Sequence, residues 1–169
     1  MIIKDTMVVI HLAKITMLEK SCGYFKDTAI PEAVRNEILF GKEKGYADVK
    51  VILDLIEAKK IIVKNVRNKG LIKKAEEFNM QRGEAEAVAL YWQEKADYLA
   101  TDDDNVRKKG TLLDIKVIGT PAIVLKLYKE KLIEREKFEE SLSELRRIGW
   151  FSDTVIDKIK MEGLRWDRQ

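Results

Sequence analysis

YLATDDDNVRKKG (98–110) sets an apolar approach, Tyr98-Leu99-Ala100, directly before three consecutive aspartates and a basic turn. The triplet has the composition and length of a short buried strand. Asp102, Asp103 and Asp104 crowd together at its end, where like charges repel. Aspartate is favoured at a helix start by capping and dipole alone, so an acidic loop or N-cap is one account. The other is that the strand delivers half of a divalent-metal site.

Outward from this stretch, other apolar runs bounded by polar residues also read as buried strands: Ile2-Ile3, Thr28 to Ile30, Ile61 to Val63 and Ile115 to Ile118. Between them lie segments of helical period. One starts at Pro31, a good first-turn residue, and runs through Val34 and Ile38. Others run from Asp48 through Val51, Leu55 and Ile56, from Lys69 to Asn79, and from Gly83 through Val88, Ala89 and Trp92. Pro121 to Lys131 and Glu134 to Arg147 follow the last strand, and Ser152 to Met161 reads as a capped final helix. Strands alternating with helices predict an α/β fold with a mainly parallel sheet. In such sheets ligands gather outside the carboxyl ends of the strands, so the placement of acids there carries information.

Composition narrows the chemistry. The chain has 169 residues, 46% of them hydrophobic, and reads as one domain able to bury a substantial core. It shows no internal repeat, low-complexity tract or linker. No apolar run approaches the roughly 20 residues that cross a bilayer. MIIKDTMVVIHLAKI (1–15) lacks a basic lead and a small-residue cleavage site, so it does not read as a signal peptide. One cysteine, Cys22, excludes an internal disulfide framework and suits a reducing cytosol. One histidine excludes His-rich zinc sites, leaving oxygen donors and hence Mg²⁺ or Mn²⁺ as the metal to expect. The net charge of +3 is too small to argue nucleic-acid binding by itself. The trio Arg107, Lys108 and Lys109 is the basic cluster that would lie beside a metal and beside any polyanion bound there.

Five acidic residues, at four places in the chain, stand at strand ends or on core-flanking helical positions. Asp5 follows the first strand, where it also suits an N-cap for a helix beginning near Val8. Asp102 and Asp103 follow the fourth. If those two strands are parallel neighbours, the carboxylates converge. Glu37 borders the stripe of Ala33, Val34 and Ile38. Glu84 sits in the first turn after Gly83. Glu84 and Glu86 point some 200° apart at about 100° per residue, so they cannot both face one site. Glu84 lies nearer the end where the strand-edge acids gather. Clustered carboxylates are ordinarily compensated by a divalent cation, and a pair of such cations suits phosphodiester cleavage.

These residues resemble the PIN-domain ribonucleases. MIIKDTMVVIHLAKI is similar to the family's opening strand, Asp-Thr/Ser and apolar helix. IPEAVRNEI (30–38) is similar to its Pro-x-x-Val-x-x-Glu segment, GEAEAVALYWQEKADYLATDDDNVR (83–107) to its third and fourth acidic segments, and VIGTPAIVLKLYKEKLI (117–133) to its last strand and helix. The likeness covers residues 1–133 well and extends more loosely through RRIGWFSDTVIDKIKMEG (146–163). It implies a three-layer α/β/α fold, with a PIN domain over 1–133 and a helical C-terminal extension over 134–169 packed on the same domain. It further implies a cytoplasmic Mg²⁺- or Mn²⁺-dependent endoribonuclease acting on single-stranded RNA, in many members a toxin of the VapBC type paired with a small antitoxin. Carried over, Asp5, Glu37, Glu84 and Asp103 are the catalytic acids, with Asp5, Glu84, Asp102 and Asp103 as the metal ligands. Thr101 stands as the threonine of the Thr-x-Asp pattern. A homodimer is compatible with this family.

Two positions depart from the pattern. Met7 stands where serine is frequent, and Lys4 where an apolar strand residue is usual. Lys4 either weakens the metal site or reaches into solvent. These departures motivate the alternative function, a catalytically weak PIN-fold RNA-binding or assembly module. Other acid-based folds fit less well. A haloacid-type phosphatase wants Asp-x-Asp early, where this chain has Asp5-Thr6-Met7. A receiver domain wants its acidic pair early, and here the paired acids come late. No Gly-x-x-x-x-Gly-Lys-Ser/Thr run for a P-loop is present.

Overall fold

The computed structural model describes residues 1–43 and 47–167. Chain order is β1 (Ile2–Lys4), α1 (Thr6–Lys14), α2 (Leu18–Tyr24), β2 (Thr28–Pro31), α3 (Glu32–Glu43), α4 (Ala47–Glu57), β3 (Ile62–Lys64), α5 (Lys69–Glu76), α6 (Arg82–Glu94), β4 (Tyr98–Ala100), α7 (Asp104–Lys109), β5 (Val117–Ile118), α8 (Thr120–Lys129), α9 (Arg135–Ile148) and α10 (Asp153–Trp166). The five strands form one sheet in the order β3-β2-β1-β4-β5. Every pairing in it is parallel. All five expected strands are present, shifted by a residue or two at β3 and β5.

The pleat divides the core. Side chains of successive strand residues point to opposite faces, so Ile2, Ile30, Ala100 and Ile118 pack into one cluster with α1, α3, α4, α8, α9 and α10. Ile3, Ala29 and Leu99 pack into the other, against Ala75 of α5, Ala85 and Val88 of α6, and Val106 of α7. Helices therefore cover both faces of the sheet, giving the three layers α/β/α. Phe138, Leu142, Leu145 and Ile156, from the two last helices, share the first cluster with Val9 and Leu12 of α1. No helix among the described residues is long and apolar enough to cross a membrane.

Several local expectations need correction. Pro31 is the last residue of β2, paired with Lys64, and the helix begins at Glu32. The basic turn after the aspartates is helix α7, with Arg107, Lys108 and Lys109 forming its last turn. Asp103 starts that helix, since its side chain accepts from Val106 N. Lys4 neither reaches solvent nor joins the acids. It shares the parity of Ile2 and is completely buried, donating to Ser21 Oγ at 2.8 Å and lying 3.8 Å from Cys22 Sγ. Burial lowers its pKa to about 8, partly offset by Cys22.

Candidate active site

The sheet order reverses between β1 and β4: the chain first builds outward through β2 and β3, then returns to the other side of β1. A crevice opens at such a switch point beyond the carboxyl ends of the strands. Lys4 pairs with Ala100, and the Asp5 N–H donates to Ala100 O at 3.0 Å. The two acidic strand ends are thus neighbours, the condition on which convergence depended.

Asp5 sits at the centre and is buried. Its Oδ1 accepts from Val8 N at 2.8 Å, closing the first turn of α1. Burial raises its pKa to about 7, and the charges of Asp102 and Asp103 push the same way, against hydrogen bonds from Thr101 and Val8. Asp103 Oδ1 accepts from Val106 N at 2.9 Å, and its own N–H donates to Thr101 Oγ1 at 3.1 Å. Thr101 thereby serves both aspartates.

Glu84 is raised in pKa by burial, with Asp103 and Glu37 adding repulsion and Lys109 opposing it. It closes the capping box of α6 by accepting from Gln81 N at 2.9 Å. Glu37 accepts from the hydroxyl of Thr6. A Cβ on Gly83 would meet Glu37 Oε1 at 2.6 Å, so only glycine there lets this carboxylate lie against the start of α6. Glu86 pairs with Arg82 at 3.4 Å and lines one cleft with it and with Glu37. Asp5, Asp103 and Glu84 all cap helices, and Asp103 bears a like charge toward both of the others.

Asp102 is held differently. His11 Nδ1 lies 2.8 Å from Oδ2, Thr120 N donates to Oδ1 at 2.7 Å, and the Thr120 hydroxyl donates to Oδ2 at 2.5 Å. Trp150 Nε1 donates to its carbonyl at 3.3 Å. The rings of Trp150 and Phe151 pack on His11 at centroid distances of 5.9 and 5.3 Å. This clamp gave no signal in the sequence, because residues 11, 120 and 150 are far apart and each reads as ordinary alone.

The basic trio divides by helix phase. Lys109 donates to Phe78 O, and its charge bears on Glu84. Arg107 and Lys108 are exposed. A cleft of about 510 Å³ lies on the Asp103 side, and another of about 450 Å³ on the Glu37 side, where Lys69 and Arg82 are basic wall residues. The acids therefore lie between two openings.

A family model described as a PIN domain matches residues 1–162. The chain belongs to the PIN-domain family. No curated protein and no solved structure matches it. PIN domains have a nuclease-type fold, bind nucleic acids and typically use divalent metals. The donors around Asp5 are all carboxylate oxygens, a set that suits Mg²⁺ or Mn²⁺, and their mutual repulsion is the condition a cation relieves. Among the described residues, no group of three or more His, Cys, Asp or Glu side chains is drawn close enough to hold a metal. The acids are thus gathered at one crevice without forming a closed cage.

Proposed function

We propose that this PIN domain is a Mg²⁺- or Mn²⁺-dependent endoribonuclease that cleaves single-stranded RNA, as the toxin of a toxin–antitoxin pair with a small antitoxin protein. The observation that carries it is the convergence of Asp5, Glu37, Glu84 and Asp103 where the sheet order reverses, with Asp5 buried among like charges. Asp5, Glu84 and Asp103 are the residues to hold the cation, and Glu37 completes the acidic wall. A divalent ion held by these carboxylates would supply positive charge for the phosphate and would lower the pKa of a bound water. Thr101 and Thr6 orient the carboxylates of Asp5 and Glu37 through their hydroxyls. Asp102, engaged by His11 and Thr120, enters chiefly as a fixed negative charge beside Asp5. Arg107 and Lys108 offer charge to the RNA backbone, while Lys109 tempers the repulsion at Glu84.

A second reading has an observation of its own. The acids are not drawn into a cage of three, which favours a catalytically weak RNA-binding or assembly module. Titrating Mn²⁺ while following thermal unfolding, then assaying cleavage of a single-stranded RNA, separates the two. Stabilisation by Mn²⁺ with cleavage that EDTA abolishes supports the nuclease. RNA binding that neither needs nor responds to the metal, with no cleavage, supports the module.

A further inference from the structure

The 510 Å³ cleft on the Asp103 side is built from more than the acids. Arg107, Pro121, Trp150, Val155 and Ile159 line it together with Asp103. Trp150 and Val155 are 51% and 41% exposed, large apolar side chains left open to solvent on the same wall. The indole is nonetheless held in place. Its N–H is bonded to the Asp102 carbonyl, one residue from Asp103, and its ring packs against buried His11. An aromatic plane that is both exposed and fixed is a stacking platform whose ordering cost has been met in advance.

Arg107 supplies the second element. Among the described residues its guanidinium makes no hydrogen bond or ion pair, although it lies against Gly119, where a Cβ would collide with it. A cation without a partner beside an aromatic wall suits a phosphate next to a stacked base. Bases in a duplex stack on one another and cannot enter such a cleft, whereas those of a single strand can be splayed out.

We infer that this cleft seats one unstacked base of a single-stranded RNA on the face of Trp150, with the adjoining phosphate at Arg107, so that the next phosphodiester is presented to Asp103. The inference rests on the ribonuclease proposed above and adds to it the part that selects an unpaired strand. Trp150 and Arg107 are binding and positioning residues; neither belongs to the acidic set.

The test follows tryptophan emission together with the fluorescence anisotropy of a dye-labelled short oligoadenylate, which reads affinity in every variant, during titration in EDTA, where binding is separated from cleavage. Wild type is expected to be quenched by the single strand and not by the same strand paired with oligouridylate. Trp150→Ala is expected to weaken binding roughly tenfold, within the range for losing one base–aromatic stack. Trp150→Phe keeps a ring, so it is expected to retain most of the affinity while the quenching disappears. Arg107→Gln is expected to reduce the dependence of log affinity on log salt by about 0.7, one phosphate contact on a single strand. Thermal unfolding of each variant shows whether it is folded, and Trp150→Phe decides the matter if Trp150→Ala is not. Equal quenching by the duplex, or unchanged affinity in folded Trp150→Ala, overturns the inference. So does quenching that depends on protein concentration alone, which would assign the cleft to a second copy of the chain. Mn²⁺-dependent cleavage by wild type alongside wild-type affinity in Trp150→Ala removes this subsite and leaves the nuclease. Quenching by the single strand without cleavage under either metal removes the nuclease and leaves the base site.

Discussion

Asp5 and Asp103 hold their helices with the same bond: each carboxylate accepts, through Oδ1, from the backbone N–H three residues ahead, at 2.8 and 2.9 Å. Asparagine makes that cap equally well. Asp5→Asn and Asp103→Asn are therefore expected to keep the fold while losing metal-dependent cleavage by roughly 100-fold or more, a loss typical of removing one charge-stabilising group. Asp5→Asn also removes a buried charge from between two others, so without metal at pH 8 it is expected to unfold a few degrees above wild type. Wild-type cleavage by purified Asp5→Asn would remove that residue from the catalytic set.

Glu84 and Glu86 offer a comparison within one helix. Glutamine at position 84 still serves the capping box, so Glu84→Gln is expected to leave stability within about 0.5 kcal/mol. It is expected to cripple cleavage and weaken Mn²⁺ binding. Glu86→Gln weakens a pair whose Arg82 end is exposed, and is expected to change either quantity less than about twofold. Parallel assays of the two variants decide the matter, and the reverse ranking would place the wrong face of α6 at the site.

Asp102 predicts the opposite balance from Asp103. Its oxygens take bonds from His11 and from the N–H and hydroxyl of Thr120 inside the protein. Hydrogen bonds to a buried charge contribute about 1.5–3 kcal/mol each. Asp102→Asn is expected to cost about 2 kcal/mol, read as a fall of several degrees in Tm, where Asp103→Asn costs little. Equal melting temperatures for the two variants would contradict the clamp.

Stability should show a trough against pH. Asp5 is raised from 3.8 to about 7 in the folded protein, so it holds its proton more tightly folded than unfolded. Its contribution is fully present below pH 3.8 and is lost as pH rises through about 7. Lys4 is lowered from 10.5 to about 8. Its contribution is present above pH 10.5 and is lost as pH falls through about 8. Both are lacking between about pH 7 and 8, where each is expected to cost on the order of 2–4 kcal/mol. Denaturation across pH should find that Asp5→Asn flattens the acid limb and Lys4→Met the alkaline one. Variant curves that run parallel to wild type would show that neither group titrates in this way.

Much of this was open to a reader of the sequence. Strands such as Tyr98–Ala100 announce themselves by short apolar runs, and Asp5, Asp102 and Asp103 by following such runs. What stayed hidden depends on distance along the chain. Lys4 looks like a solvent-facing or site-facing charge until the pleat turns it toward Ser21 and Cys22 on α2, a seven-residue helix too short to show a period. The basic turn became α7 for the same reason: six residues make fewer than two helical turns. Helical phase placed Glu84 only narrowly ahead of Glu86, and the contact of Glu37 with Gly83 at the start of α6 could not be read from phase at all.

Asp5 and Asp103 lie on adjacent strands yet are separated by nearly the whole length that the ribosome must translate to join them. At about 5–20 residues per second, on the order of 5–20 s passes between the synthesis of one and of the other. Until β4 has left the ribosome and docked on β1, the proposed catalytic set is incomplete. Trp150 arrives later still. The proposed nuclease would thus stay inert while β4 and Trp150 are still within the ribosome, held beside the very messenger that encodes it.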